Sequence, residues 1–138
     1  MRRTIRSLSL AFTAGAFGAF IYSVTAFFLG TYGVHRAFGV KLAYKMTPEA
    51  LYPALVWGGL FALLLLVPIL RSKYCIYRGI VLGVLLSLIH LLIIYPYMTN
   101  KGFLGLRLGT WTPAFVIFYN AVWGIFAAFW LDYTRERV

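Results

Sequence analysis

Acidic side chains are almost missing from this sequence: 3 residues of 138 are Asp or Glu, against 13 Lys and Arg. Glu49 and Asp132 sit at the ends of apolar runs and Glu136 lies in the tail, so no carboxylate falls inside one. Proton-coupled carriers that rely on a buried acid are therefore a poor match, and no Ser/His/Asp set can be assembled at one depth. The single Cys75 excludes an internal disulfide and any paired-cysteine redox chemistry. Bis-histidine haem needs two His at one depth on facing helices, yet His35 falls in a loop sequence and His90 in an apolar run. Ligands for zinc or a two-metal centre are lacking too. The expectation is no cofactor, no metal site and no catalysis by the chain's own side chains.

Charge is also missing in long blocks. No Asp, Glu, Lys or Arg occurs over residues 7–35, 50–70, 79–100 or 108–131, gaps of 29, 21, 22 and 24 residues. A helix of about 20 apolar residues crosses a hydrocarbon core of about 30 Å. A soluble helix of that length would carry a polar stripe. With a mean hydropathy of +0.85, the pattern predicts an all-α integral membrane protein with four spans near 8–29, 49–70, 76–97 and 113–131. Little sequence remains outside them, so 1–138 reads as one transmembrane domain.

Lys and Arg are retained on the cytoplasmic side during insertion. Arg2, Arg3, Arg6, Arg71, Lys73, Arg78, Arg135 and Arg137 fall on one side, and Arg36, Lys41, Lys45, Lys101 and Arg107 on the other. The bias of eight to five predicts both termini in the cytoplasm and a bacterial cytoplasmic (inner) membrane as the location. The basic start, apolar run and small residues at Ala14-Gly15-Ala16 imitate a signal peptide, but the run exceeds a secretory core of about 7–15 residues and reads as a retained helix. The net charge of +10 belongs to span ends, where cations reach headgroups and set topology, and does not imply nucleic acid.

An internal repeat is the most informative feature. Arg36-Ala37-Phe38-Gly39-Val40-Lys41-Leu42 leads to Thr47-Pro48, and Lys101-Gly102-Phe103-Leu104-Gly105-Leu106-Arg107-Leu108 leads to Thr112-Pro113, with one-residue indels at an offset of 65 or 66. Val56-Trp57-Gly58 recurs as Val122-Trp123-Gly124, and Ala14 and Gly18 answer to Gly79 and Gly83. One period is a helix–loop–helix unit, so the reading is two tandem helical hairpins, about 8–70 and 76–131, entering the membrane in parallel about a pseudo-two-fold axis. The Thr-Pro pairs read as helix starts, the hydroxyl capping a free N–H and the proline occupying the first turn. Small residues four apart offer close-packing faces, so the first and third spans are expected to pack on each other or on their hairpin partners. Trp57 and Trp123, each followed by Gly, read as rings filling matched internal positions.

Polar residues inside the spans are few. His90 and Asn120 each lie about seven residues from the loop end of their helices, and Ser87 shares a face with His90. These three form the candidate buried polar site, with an interhelical hydrogen bond worth about 0.6 kcal/mol as the plain role and ligand or proton handling as the sharper one. In the loops, Lys41 and Arg107 make a matched pair of cations, with Arg36 and Lys101 beside them, suited to interfacial anchoring or to an anionic headgroup or partner. Three functions follow. The first is an accessory or assembly subunit that packs against a larger membrane complex or itself, motivated by small-residue faces, short loops and the lack of a catalytic set. The second is a small channel or carrier for an anion or lipid, motivated by the repeat and by Pro53 and Pro68 in the second span. The third is a lipid or quinone site formed with a partner, His90 donating a hydrogen bond. The scarcity of polar lining sets the subunit reading first.

Overall fold

Within a hydrocarbon layer every backbone N–H and C=O must be satisfied inside the chain, which leaves uninterrupted apolar stretches only the helix. The computed structural model describes residues 1–42, 46–67, 75–100 and 102–136. It is helical, and among those residues four helices are long and apolar enough to cross a membrane. Helix α1 runs Arg2–Thr31, the short α2 Val34–Ala37, α3 Pro48–Ala62 with a tightened 3-10 extension Leu63–Leu66, α4 Cys75–Ile89 with a π-helical extension His90–Met98, and α5 Thr112–Glu136. The predicted spans correspond to α1, α3, α4 and α5, with α1 and α5 several residues longer. Pro68, Lys45, Lys101 and the cations of the link between α3 and α4 lie outside the described residues, Arg78 excepted.

Local chemistry sets the helix ends. Gly33 at φ 78 stops α1 just beyond its last turn, where the Tyr32 N–H still reaches the Phe28 carbonyl at 2.9 Å. Pro48 opens α3 with Glu49 in its first turn, which suits the positive end of the helix dipole. Thr47 makes no side-chain capping bond, and the Thr112 hydroxyl is buried without a hydrogen-bond partner. The helix starts stand where the Thr-Pro pairs put them, held by proline rather than by the expected hydroxyl caps. At the other end of α3, the Arg78 guanidinium donates to the carbonyls of Leu65 and of Val67, the latter at 3.1 Å. A cation thus covers acceptors that the ended helix leaves bare.

Pro96 explains the π-helix. In an α-helix its ring would press on the Leu92 carbonyl and its nitrogen could not donate. The wider π turn relieves the clash, and the Thr99 N–H closes it on the Ile94 carbonyl at 3.0 Å. Loop-facing residues of α4 are rotated relative to a straight α-helix as a result.

The spans form an arc in the order α3, α1, α5, α4. Helix α1 packs along α3 and α5, and α5 along α1 and α4, while α3 reaches α4 mainly through its 3-10 extension. Small residues four apart lie at the tightest crossings: Gly15 and Ala19 against Gly58 and Ala62, and Gly79 and Gly83 against Asn120, Gly124 and Ala128. A Cβ added at Gly15 would strike the Gly58 carbonyl, and one at Gly79 would strike the Gly124 carbonyl. The expected pairing of Ala14 and Gly18 with Gly79 and Gly83 is thereby corrected by one residue. Gly15 does in α1 what Gly79 does in α4, and Gly18 faces Trp123 on α5. The first and third spans pack on their neighbours in sequence, and α5 lies between them.

The two Trp-Gly motifs also part company. Trp123 is 3% exposed and its Nε1–H donates to the Gly15 carbonyl at 3.1 Å. Trp57 is 58% exposed and corrects the expectation of a matched internal ring. Position in the arc is the reason: α5 has helices on two sides, whereas α3 is an end of the arc.

Glycine at a carbonyl contact leaves no room for a branched side chain. Gly79→Val is expected to lower the unfolding free energy by about 1–3 kcal/mol, and Val84→Leu on an exposed face by less than about 0.5 kcal/mol. Unfolding by SDS titration in detergent micelles, followed by circular dichroism, measures both.

Candidate functional site: a cleft inside the arc

Because α3 and α4 do not close on each other, a cavity of about 340 Å³ lies between them, with α1 and α5 behind it. Ala54, Trp57, Gly58 and Phe61 form the α3 wall, and Leu86, Ile89, His90, Ile94 and Tyr95 the opposite one. Ala19, Tyr22, Asn120 and Trp123 form the back, and Lys41, Leu42 and Thr99 the end nearest the loops. Apolar and aromatic walls with a few polar groups are the usual makeup of a small-molecule site. Lys41 is the one charged side chain among these residues.

Two of the three predicted polar residues meet here. His90 lines the wall with its ring edge-on to Tyr95, centroids 5.2 Å apart and planes at 81°. Asn120 lines the back at 7% exposure, and its Nδ2 is buried with no hydrogen-bond partner. A buried amide donor left unpaired costs about 1–3 kcal/mol. Ser87 is not part of the cleft. Its hydroxyl donates at 2.9 Å to the Gly83 carbonyl of its own helix, the common refuge of serine in an apolar helix.

The matched cations separate too. Both are exposed, but Lys41 is among the residues lining the cleft, whereas Arg107 is not: it lies over Gly102 and donates to the Asn100 carbonyl at 3.2 Å. Arg36 is exposed on α2 outside the cleft, and Lys101 lies outside the described residues. The expectation of a symmetric cationic pair reduces to Lys41. Its backbone is pinned, with the Lys41 N–H donating to the Leu108 carbonyl at 2.8 Å and the Val40 N–H to the His35 carbonyl at 2.8 Å. The loops are thus joined across the end of the bundle. Gly39 and Gly105 both adopt φ 68, and Leu104 stands at φ 57.

His35, read from sequence as a loop residue without a role, is 2% exposed. Its Nε2 pairs with the Tyr119 hydroxyl, and its ring stands edge-on to Phe115 at 5.0 Å. The signal for it was weak: an isolated polar residue two positions after a glycine resembles any exposed loop. Burial holds the His35 imidazole below its ordinary pKa, opposed by a backbone hydrogen bond at Leu42. No protein-family model matches this chain, and no curated protein or solved structure matches it.

A histidine held neutral in the fold but free to protonate when unfolded makes the unfolded state bind more protons as pH falls below about 6.5. Stability is expected to fall as pH drops from about 8 toward 5, and His35→Gln to flatten that dependence. Thermal unfolding in detergent across this pH range tests it; an unchanged slope in the variant refutes the assignment.

Proposed function

We propose that this chain is a non-catalytic membrane protein that accommodates a lipid-like molecule in the cleft between α3 and α4. The observation that carries the reading is the cavity: it draws residues from all four long helices, its walls are apolar, and α3 and α4, which flank it, are not packed together along their lengths. A gap between two bilayer-facing helices is open to acyl chains and unattractive to water. This consideration moves lipid binding, the carrier and lipid-site expectations, ahead of the accessory-subunit expectation.

The subunit reading keeps one observation in its favour. Tyr52, Val56 and Leu60 on α3 and Leu64 in its 3-10 extension recur every four residues, all exposed, and this is the least covered span, 17% of its apolar window being buried. Such a stripe suits a helix of a larger complex or a second copy of this chain. Stoichiometric co-purification with another membrane protein in gentle detergent would favour it; a monodisperse single chain carrying lipid would favour the cleft.

We further infer a duplicated hairpin with both termini cytoplasmic in a bacterial-type inner membrane. The eight-to-five distribution of Lys and Arg supports the orientation. Equivalent carbonyl contacts at Gly15 and Gly79, with the shared φ of Gly39 and Gly105, support the duplication. A cytoplasm-active reporter fused after Val138 is expected to be active, and one that works only in the periplasm to be silent.

Ala54→Phe is expected to fill the cleft. Native mass spectrometry of the wild type released from nanodiscs should show one retained lipid, and the variant, with unchanged helix content, should lose it at least in large part. Equal retention by both, or none by the wild type, overturns the lipid reading.

A further inference from the structure

Resting on the reading of the cleft as a lipid site, we propose that its guest is an anionic amphiphile with its headgroup at Lys41 and a hydrogen-bond-accepting oxygen, such as an ester carbonyl, on Asn120 Nδ2. Three observations converge. Lys41 is the one charged residue among the described residues lining the cavity, and the bond of its backbone N–H to Leu108 fixes its Cα at the loop end. Asn120 Nδ2 is a buried donor without a partner at the back of the same cavity. Between and below them the walls are apolar, with Phe61, Leu86 and Ile89 on the two flanking helices.

The order of these groups is the order of a glycerolipid: charge at the interface, an oxygen acceptor deeper, then hydrocarbon. A hydrated inorganic anion would satisfy Lys41 alone and gain nothing from the walls. A zwitterionic lipid would bring its own cation toward Lys41. At about 340 Å³ the cavity is near the small end of ligand pockets, so it takes the upper part of one chain and leaves the rest in the bilayer. The position matching Asn120 in the first half, at an offset of 66, is Ala54, so the donor belongs to one half of the bundle and defines a single site.

The test uses the full chain in nanodiscs of mixed phosphatidylglycerol and phosphatidylcholine, with retained lipid counted by native mass spectrometry. The wild type is expected to retain phosphatidylglycerol preferentially. Lys41→Gln should reduce that preference by about fivefold, the effect of one interfacial cation, and Arg107→Gln, an equal charge loss off the cleft, should leave it intact. Ether-linked phosphatidylglycerol, which lacks the ester carbonyls, should be retained about threefold less than the ester form. Asn120→Leu should abolish that ester–ether difference, and Asn120→Ala, which removes the donor without adding bulk, guards against a packing artefact by abolishing it too. Indifference to headgroup charge, equal losses in Lys41→Gln and Arg107→Gln, an ester–ether difference that survives in both Asn120 variants, or displacement of the lipid by inorganic phosphate each overturns the proposal. Retention of both lipids without preference sinks this assignment while leaving the lipid cleft standing; retention of no lipid sinks the cleft reading itself.

Discussion

Close backbone contact at glycine is the constraint on which this molecule depends. In lipid, burying an apolar side chain against another helix gains little over leaving it among acyl chains, so helices associate where their backbones can approach. Gly15 against the Gly58 carbonyl and Gly79 against the Gly124 carbonyl provide that approach in the two halves. Dispersion at these crossings, summed over many small contacts, holds α1 to α3 and α4 to α5. Trp123 then joins the halves, filling the space beside Gly18 and giving its indole proton to Gly15.

The arc follows from where those small residues lie. Helix α1 spends one face on α3 and another on α5, and α5 likewise serves α1 and α4, so each central helix has a neighbour on two sides. Helices α3 and α4 are left as the ends, and the space between them becomes the cleft. Rings that are equal in sequence become unequal in environment: Trp123 is locked in the middle, and Trp57 stands on the open wall. The π turn at Pro96 adds to the asymmetry, since it falls on the α4 wall, where His90 and Tyr95 sit. A bundle whose end helices stay apart can in this way present one site between them.

Much of this architecture was legible before any coordinates. Charge-free blocks give the spans because a charge in hydrocarbon is too costly to be placed by accident. Proline gives helix starts through its fixed φ and missing donor, so Pro48 marks the start of α3, while the hydroxyl caps expected at Thr47 and Thr112, a matter of rotamer and neighbours, are not formed. The cleft was less legible. His90 and Asn120 could be placed at one depth by counting residues, but Ser87 shares the His90 face and still turns to its own helix. Lys41 and Arg107 look alike as sequence and differ because only Lys41 borders the cavity. His35 was invisible, since its burial comes from Phe115 and Tyr119 on a helix more than eighty residues away.

The sequence by itself determined that four helices are long and apolar enough to span a bilayer, where the two that follow Thr-Pro pairs begin, and that buried acids and paired thiols are missing, because these are properties of composition and of one residue's backbone at a time. Tertiary structure alone decided the order of the helices around the arc, which Trp is buried, and which polar groups face a shared cavity. Those outcomes depend on the rotation of each helix about its own axis, and when nearly every face is apolar no hydrophobic stripe in the sequence records that angle.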